Sequence, residues 1–107
     1  MKLITPQLLE RFNQIGRQNA ASGDAIVVCR YYAPWNADSW YVLEYNPTTQ
    51  KFFGLVDSSK STQFDYFSLD TLLDSTGPED QKVTRDISWE EKRLGDFLNW
   101  IFDHHRH

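Results

Sequence analysis

Apolar residues near the start of the chain fall at helical spacing. Leu8, Leu9, Phe12 and Ile15 form one stripe, and Thr5-Pro6 precedes it. A Thr hydroxyl accepts from an early helix N–H, and Pro suits the first helical position, where its missing N–H has no partner to lose. The pattern predicts an amphipathic helix that Gly16 stops. Gln18 to Gly23 is small and polar and predicts a loop. The period then changes. Ala25 to Tyr32 predicts a strand, and its apolar start points to burial on both faces. After the turn-forming Pro34 to Asp38, Trp40 to Tyr45 predicts a second strand. Strict alternation there places Trp40, Val42 and Glu44 on one side and Tyr41, Leu43 and Tyr45 on the other.

Asn46-Pro47-Thr48-Thr49 is a turn signal. Lys51 to Asp57 predicts a third strand, with Phe52, Gly54 and Val56 opposed to Phe53 and Leu55. Gly54 inside it points to a bulge or a close backbone approach. Asp57 to Lys60 predicts a turn, and Thr62 to Phe67 a fourth strand. Turns this short force antiparallel pairing, because parallel strands need long crossovers. Ser68 can cap a short helix carrying Leu69, Leu72 and Leu73, which ends near Ser75 to Pro78. Val83 to Ile87 predicts a short edge strand. Ser88-Trp89-Glu90-Glu91 has the spacing of a capping box, which predicts a last helix from Trp89 to about Asp103. Its buried stripe is Leu94, Phe97, Leu98 and Ile101. Gly95 inside that helix costs about 1 kcal/mol relative to Ala and points to tight packing against the sheet. Trp100 projects about 110° from the stripe centre at about 3.6 residues per turn. The elements add up to an α+β fold: a four- to five-stranded, mainly antiparallel sheet with N- and C-terminal helices packed against it, in a single domain over residues 1–107.

Composition narrows the function classes. The 107 residues carry 11 basic and 15 acidic side chains, a net charge of -4. The basic residues are scattered, and the Lys92-Arg93 pair follows Glu90-Glu91, the mark of a solvated helix face. Nucleic acid needs clustered cations to displace counterions from phosphates, so the charge argues against it. The apolar runs are too short to span a membrane. Met1 to Pro6 has no long apolar segment of a secretory signal, and a single Cys supplies no disulfide framework; the expected setting is the cytoplasm. Eleven of the 16 aromatic residues lie between Tyr31 and Phe67. Rings concentrated in strands predict a core built from them, with any left outside available to another macromolecule.

Several segments, taken in order, resemble the bacterial family known as domain of unknown function 2958. They are Met1 to Thr5, Trp40 to Tyr45, Phe52 to Val56, Tyr66 to Leu69 with Leu72, and Arg85-Asp86-Ile87. The resemblance covers residues 1–90, and the last helix departs from it. It implies an accessory or host-interaction role in plasmids, phages or integrative elements, including countering host defence. It supplies no catalytic residues.

The chemistry-bearing residues carry little catalytic signal. His104, His105 and His107 close the chain, where a tail lacks the rigid four-ligand geometry of structural zinc. No metal and no cofactor is expected. Cys29 alternates with Val27 and Tyr31 on a central strand, where a buried thiol is inert. Asp57, Asp65 and Asp70 sit at strand or helix ends, Asp57 as a turn residue and Asp70 beside the Ser68 cap, and Asp86 beside Arg85 suits surface or loop contacts, so each reads as structural. Glu44 alone, beside aromatic residues, suits a desolvated acid or base. The expectation is a non-enzymatic protein that binds another protein, with Trp35 and Trp100 as contact residues and self-association left open. The rival is a small-ligand binder or enzyme with Glu44 in a cleft lined by Trp40, Tyr41 or Tyr45.

Overall fold

The computed structural model describes residues 2–19 and 22–104. His105 and His107 of the terminal cluster lie outside the described residues. Helix α1 spans Pro6–Ile15. Thr5 caps it as expected, its Oγ1 accepting from the Leu8 N–H at 3.1 Å, and the Gly16 N–H closes it on the Phe12 carbonyl at 2.8 Å.

The Ala25–Tyr32 run forms two strands rather than one, β1 (Ile26–Val27) and β2 (Cys29–Tyr32). Val28 interrupts them, its N–H donating to the Val42 carbonyl at 2.8 Å while Cys29 is the residue in register with Val42. Two residues thus meet one, the arrangement of a bulge. The interruption shifts the alternation, so Val27 and Cys29 enter different cores. Strands β3 (Ser39–Asn46), β4 (Lys51–Asp57) and β5 (Thr62–Ser68) follow as a meander. Helix α2 (Leu69–Asp74) carries the expected Ser68 cap, with the Thr71 N–H on its Oγ at 3.0 Å. Strand β6 is Thr84–Arg85 and β7 is Lys92–Arg93. The main sheet has five strands in the order β5-β4-β3-β2-β6, all neighbours antiparallel, and β1 pairs with β7 beside it.

A second bulge lies between Val42 and Glu44 on β3. It corrects the expected faces of that strand. Glu44 pairs with Phe53 and Tyr45 with Phe52, so Glu44 leaves the Trp40 and Val42 side and Tyr45 joins it. Gly54, opposite Val42, explains how the bulge fits: a β carbon there would run into the Tyr41 carbonyl.

The last helix also differs from expectation. Helix α3 spans Leu94–His104 and begins five residues later than the capping-box spacing implied. Ser88 donates its N–H and hydroxyl to Asp86 Oδ1 at 3.0 and 2.8 Å. Glu91 is held by Arg11, whose Nε and Nη2 donate to its two oxygens at 2.8 Å each. Trp89 donates its indole N–H to the Val27 carbonyl at 3.1 Å, and β7 is drawn into pairing with β1. Tertiary partners therefore outbid the local cap. The Leu94 and Gly95 N–H groups are taken instead by the carbonyls of Ala25 (2.6 Å) and Gly23 (3.0 Å). A β carbon at Gly95 would sit tightly against the Gly23 backbone, 3.3 Å from its Cα; the close neighbour is this loop, not the sheet.

Each sheet face has its own core. On one, α1, α2 and the N-terminal Leu3 cover Cys29, Tyr31, Val42, Phe52 and Val83. On the other, α3 lays Leu94, Phe97 and Ile101 on Tyr41, Leu43 and Leu55.

Candidate functional site

The residues singled out in the sequence separate onto different parts of this frame. Trp35, expected as a contact residue, stands in the loop between β2 and β3. It is half-buried against the α1-side core, and Gly77 lies so close over its ring that a methyl group there would collide with it. Trp40 packs into the same core beside its cross-strand partner Tyr31. Tyr41 is buried on the opposite face under Phe97, with ring centroids 4.5 Å apart. Trp40, Tyr41 and Glu44 are therefore not gathered in one cleft.

Glu44 does border a cleft, of about 460 Å³, between the end of α1 and the β3–β4 turn. Tyr45, Phe53, Tyr66, Arg17 and Lys51 share its walls. Burial raises the Tyr45 phenol above its ordinary pKa. One Glu44 oxygen accepts from the Gln18 N–H at 2.8 Å. Gln18 in turn donates to the carbonyls of Ile26 (2.9 Å) and Leu43 (2.7 Å) and accepts from the Ile26 N–H at 2.6 Å. The Glu44–Gln18 pair is thus a clamp that fastens the loop after α1 to the bulge.

Cys29 and Tyr31 lie inside. Burial pushes the Cys29 thiol up to about 12 and raises Tyr31 as well; the Tyr31 hydroxyl donates to the Leu3 carbonyl at 2.5 Å. A thiol held protonated is a poor nucleophile, so this pair serves packing. Among the described residues no three His, Cys, Asp or Glu side chains are grouped to hold a metal ion, and no helix is long and apolar enough to cross a membrane.

The α3 face carries the chemistry that remains. Arg30 stands on one flank of the helix, its guanidinium over Tyr32 at 4.7 Å and Tyr41 at 5.8 Å. It donates to Asp86 Oδ2 at 3.1 Å and to the buried Ser39 Oγ at 3.0 Å. Partial burial works to raise the Asp86 carboxyl, but donation from Ser88 and Arg30 outweighs it and the carboxyl is lowered. Asp57, Trp89 and Trp100 complete a shallow hollow of about 370 Å³.

Aromatic rings line the other flank. Phe53 stacks on Phe64 at 6.0 Å and meets Tyr66 at 4.8 Å. On this flank Tyr66 and Phe102 are 63% and 60% exposed, and Trp100, over the Arg30 hollow on the opposite flank, is 51% exposed. Trp100 was legible as a ring off the buried stripe. Phe102, Phe64 and Tyr66 were missed. The alternation of Phe64 and Tyr66 is visible in the sequence, but nothing in it says that β5 stands at the sheet edge.

The model of one protein family, described as Protein of unknown function (DUF2958), matches residues 3–104. The match takes in α3, so the last helix is part of the family's fold rather than a departure from it. Neither the curated proteins nor the solved structures contain a match to the chain.

Proposed function

We propose that this chain, which belongs to the DUF2958 family, is a non-enzymatic protein-binding domain whose contact surface is the α3 face of the sheet. The observation that carries the reading is where the exposed rings collect. Among the described residues five large apolar side chains are exposed, and three of them, Tyr66, Trp100 and Phe102, rise on that one face. Exposed aromatic groups set around buried ones supply contact energy at low entropic cost. The accessory role in mobile elements, and the cytoplasmic setting in which it operates, rest on the family resemblance and the sequence and stay part of the proposal.

Affinity purification from the native host tests it. A folded Trp100→Ala/Phe102→Ser variant should lose a protein that the wild type retains. Retention of every partner by that variant would remove the reading. The cleft beside Glu44 supports a second reading, small-ligand binding. There an Arg17→Ala/Lys51→Ala variant should lose a thermal shift that some metabolite gives the wild type, and a wild type shifted by none argues against it.

A further inference from the structure

Strand β5 is the outer strand of the sheet over its full length of seven residues. Antiparallel pairs alternate between positions that bond across the ladder and positions that bond away from it. Two bonds fix the phase here. The Ser58 N–H donates to the Ser61 carbonyl at 2.8 Å, and the Leu69 N–H to the Gln50 carbonyl at 2.9 Å. Continued through the register of β4 and β5, this turns the odd-numbered residues of β5 inward. Thr62, Phe64 and Tyr66 turn their main-chain groups to the open side, and their side chains lie on the α3 face. Asp65 takes one open donor, its Oδ1 accepting from the Tyr66 N–H at 2.8 Å. No strand among the described residues pairs with this edge.

The α3 face along β4 and β5 is also polar in sequence order. Lys51 stands beside Ser68 at one end, Phe53 beside Tyr66 and Leu55 beside Phe64 in the middle, and Asp57 beside Thr62 at the other end. Asp57, Thr62, Ile101 and Phe102 enclose a small hollow of about 170 Å³ at the acidic end.

We infer that the open edge of β5 accepts an extended segment of another protein as an added antiparallel strand, of pattern acid–x–apolar–x–apolar–x–base. The inference rests on the protein-binding reading above and names the class of partner. Main-chain bonds to Thr62, Phe64 and Tyr66 supply affinity, and alternate side chains supply choice. An antiparallel strand begins beside Ser68 and ends beside Thr62. Its acid meets Lys51, its two apolar residues lie against Tyr66 and Phe64, and its base enters the hollow with Asp57 and Phe102. The incoming carbonyl replaces Asp65 on the Tyr66 N–H. A second copy of β5 fits poorly: pairing over the full strand sets Asp65 opposite Asp65, and like charges directly opposite oppose pairing.

The probe is a fluorescein-labelled heptapeptide, Glu-Thr-Val-Thr-Val-Thr-Lys, blocked at both ends and titrated by polarisation against the full chain. Saturable binding is expected, with slowed amide exchange at Thr62 and Phe64. N-methylation of both Val residues, which face the β5 main chain, should weaken binding about tenfold or more. Asp57→Asn should weaken it about two- to fivefold, and the loss should vanish for the peptide with Ala in place of Lys. Equal binding of the N-methylated peptide, or tighter binding of the peptide with its charges exchanged, overturns the inference. So does a free protein that scatters light as a dimer with Thr62 and Phe64 already protected. If the peptide fails while Trp100 and Phe102 are still needed to retain a host partner, the strand is wrong and the binding face stands. If the host partner also survives their replacement, both fail.

Discussion

The two faces of the sheet hold rings in similar number and use them differently. On the α1 side Phe52 is fully buried at the centre of four others, 6.5 Å from Phe12, 5.5 Å from Tyr31, 4.6 Å from Tyr45 and 5.3 Å from Phe67. On the α3 side Phe97 and Tyr41 are sealed against each other, but rings on both flanks reach water. Cover makes the difference. Five strands span about 19 Å at about 4.8 Å spacing, whereas one helix is only about 10 Å wide. Two helices and the N-terminal segment close the first face. The single 11-residue α3 closes only the middle of the second. What lies beyond a helix's width stays available to a partner.

The sharpest way to break this contrast is to remove one ring from each side. Phe52→Ala should cost about 3–5 kcal/mol, since it empties a filled site that the surrounding rings cannot close. That is a large part of the stability of a domain this size, and urea unfolding will measure it. Gly54→Ala tests the bulge that sorts Tyr45 to the closed face. Gly to Ala in a strand interior ordinarily helps; here the methyl meets the Tyr41 carbonyl, and a loss of about 1–3 kcal/mol is expected. A gain would mean that the bulge is not held as described.

Acid sharpens the picture on the open face. The Asp86 carboxyl is lowered in the folded protein, so its contribution to stability is fully present above the unfolded value of about 4 and is lost as pH falls through the folded one. The stability gap between wild type and Asp86→Asn should hold steady from neutral pH to about 5 and close below about 4. A gap unchanged at low pH would detach Asp86 from Arg30 and Ser88. Tyr66→Ala should be the mildest change, about 1 kcal/mol or less, because an exposed cross-strand ring gives up little on removal. A cost like that of Phe52 would place Tyr66 in a core.

Local chemistry was legible wherever it acts over a few residues. Thr5-Pro6 and Ser68 start α1 and α2, and Gly54 marks a close approach. Leu94, Phe97 and Ile101 are buried as their spacing implied. What failed depends on residues far along the chain. Glu91 serves Arg11, 80 positions away, and Trp89 serves Val27, 62 positions away, so the box at Ser88 starts no helix. Trp35 stands in a loop as read, but the sequence cannot show that Gly77 folds over its ring. Glu44 does border a cleft with Tyr45, but neither its bond from Gln18 nor the bulge beside it is visible in an alternating pattern. The open flank escaped for the same reason: Phe64 and Tyr66 alternate as any strand residues do, and strand order decides which strand lacks a neighbour.

The division of labour between the faces can be tested in living cells with a photo-crosslinking benzoylphenylalanine placed singly at Trp100, Phe102, Tyr66 or Leu73. Leu73, 51% exposed on α2, is the matched control from the other side. Adducts to the same protein from the first three positions, with none from Leu73, are the predicted result. Adducts from Leu73 alone, or equally from all four, would contradict the assignment of the α3 face as the surface this protein presents to its partner.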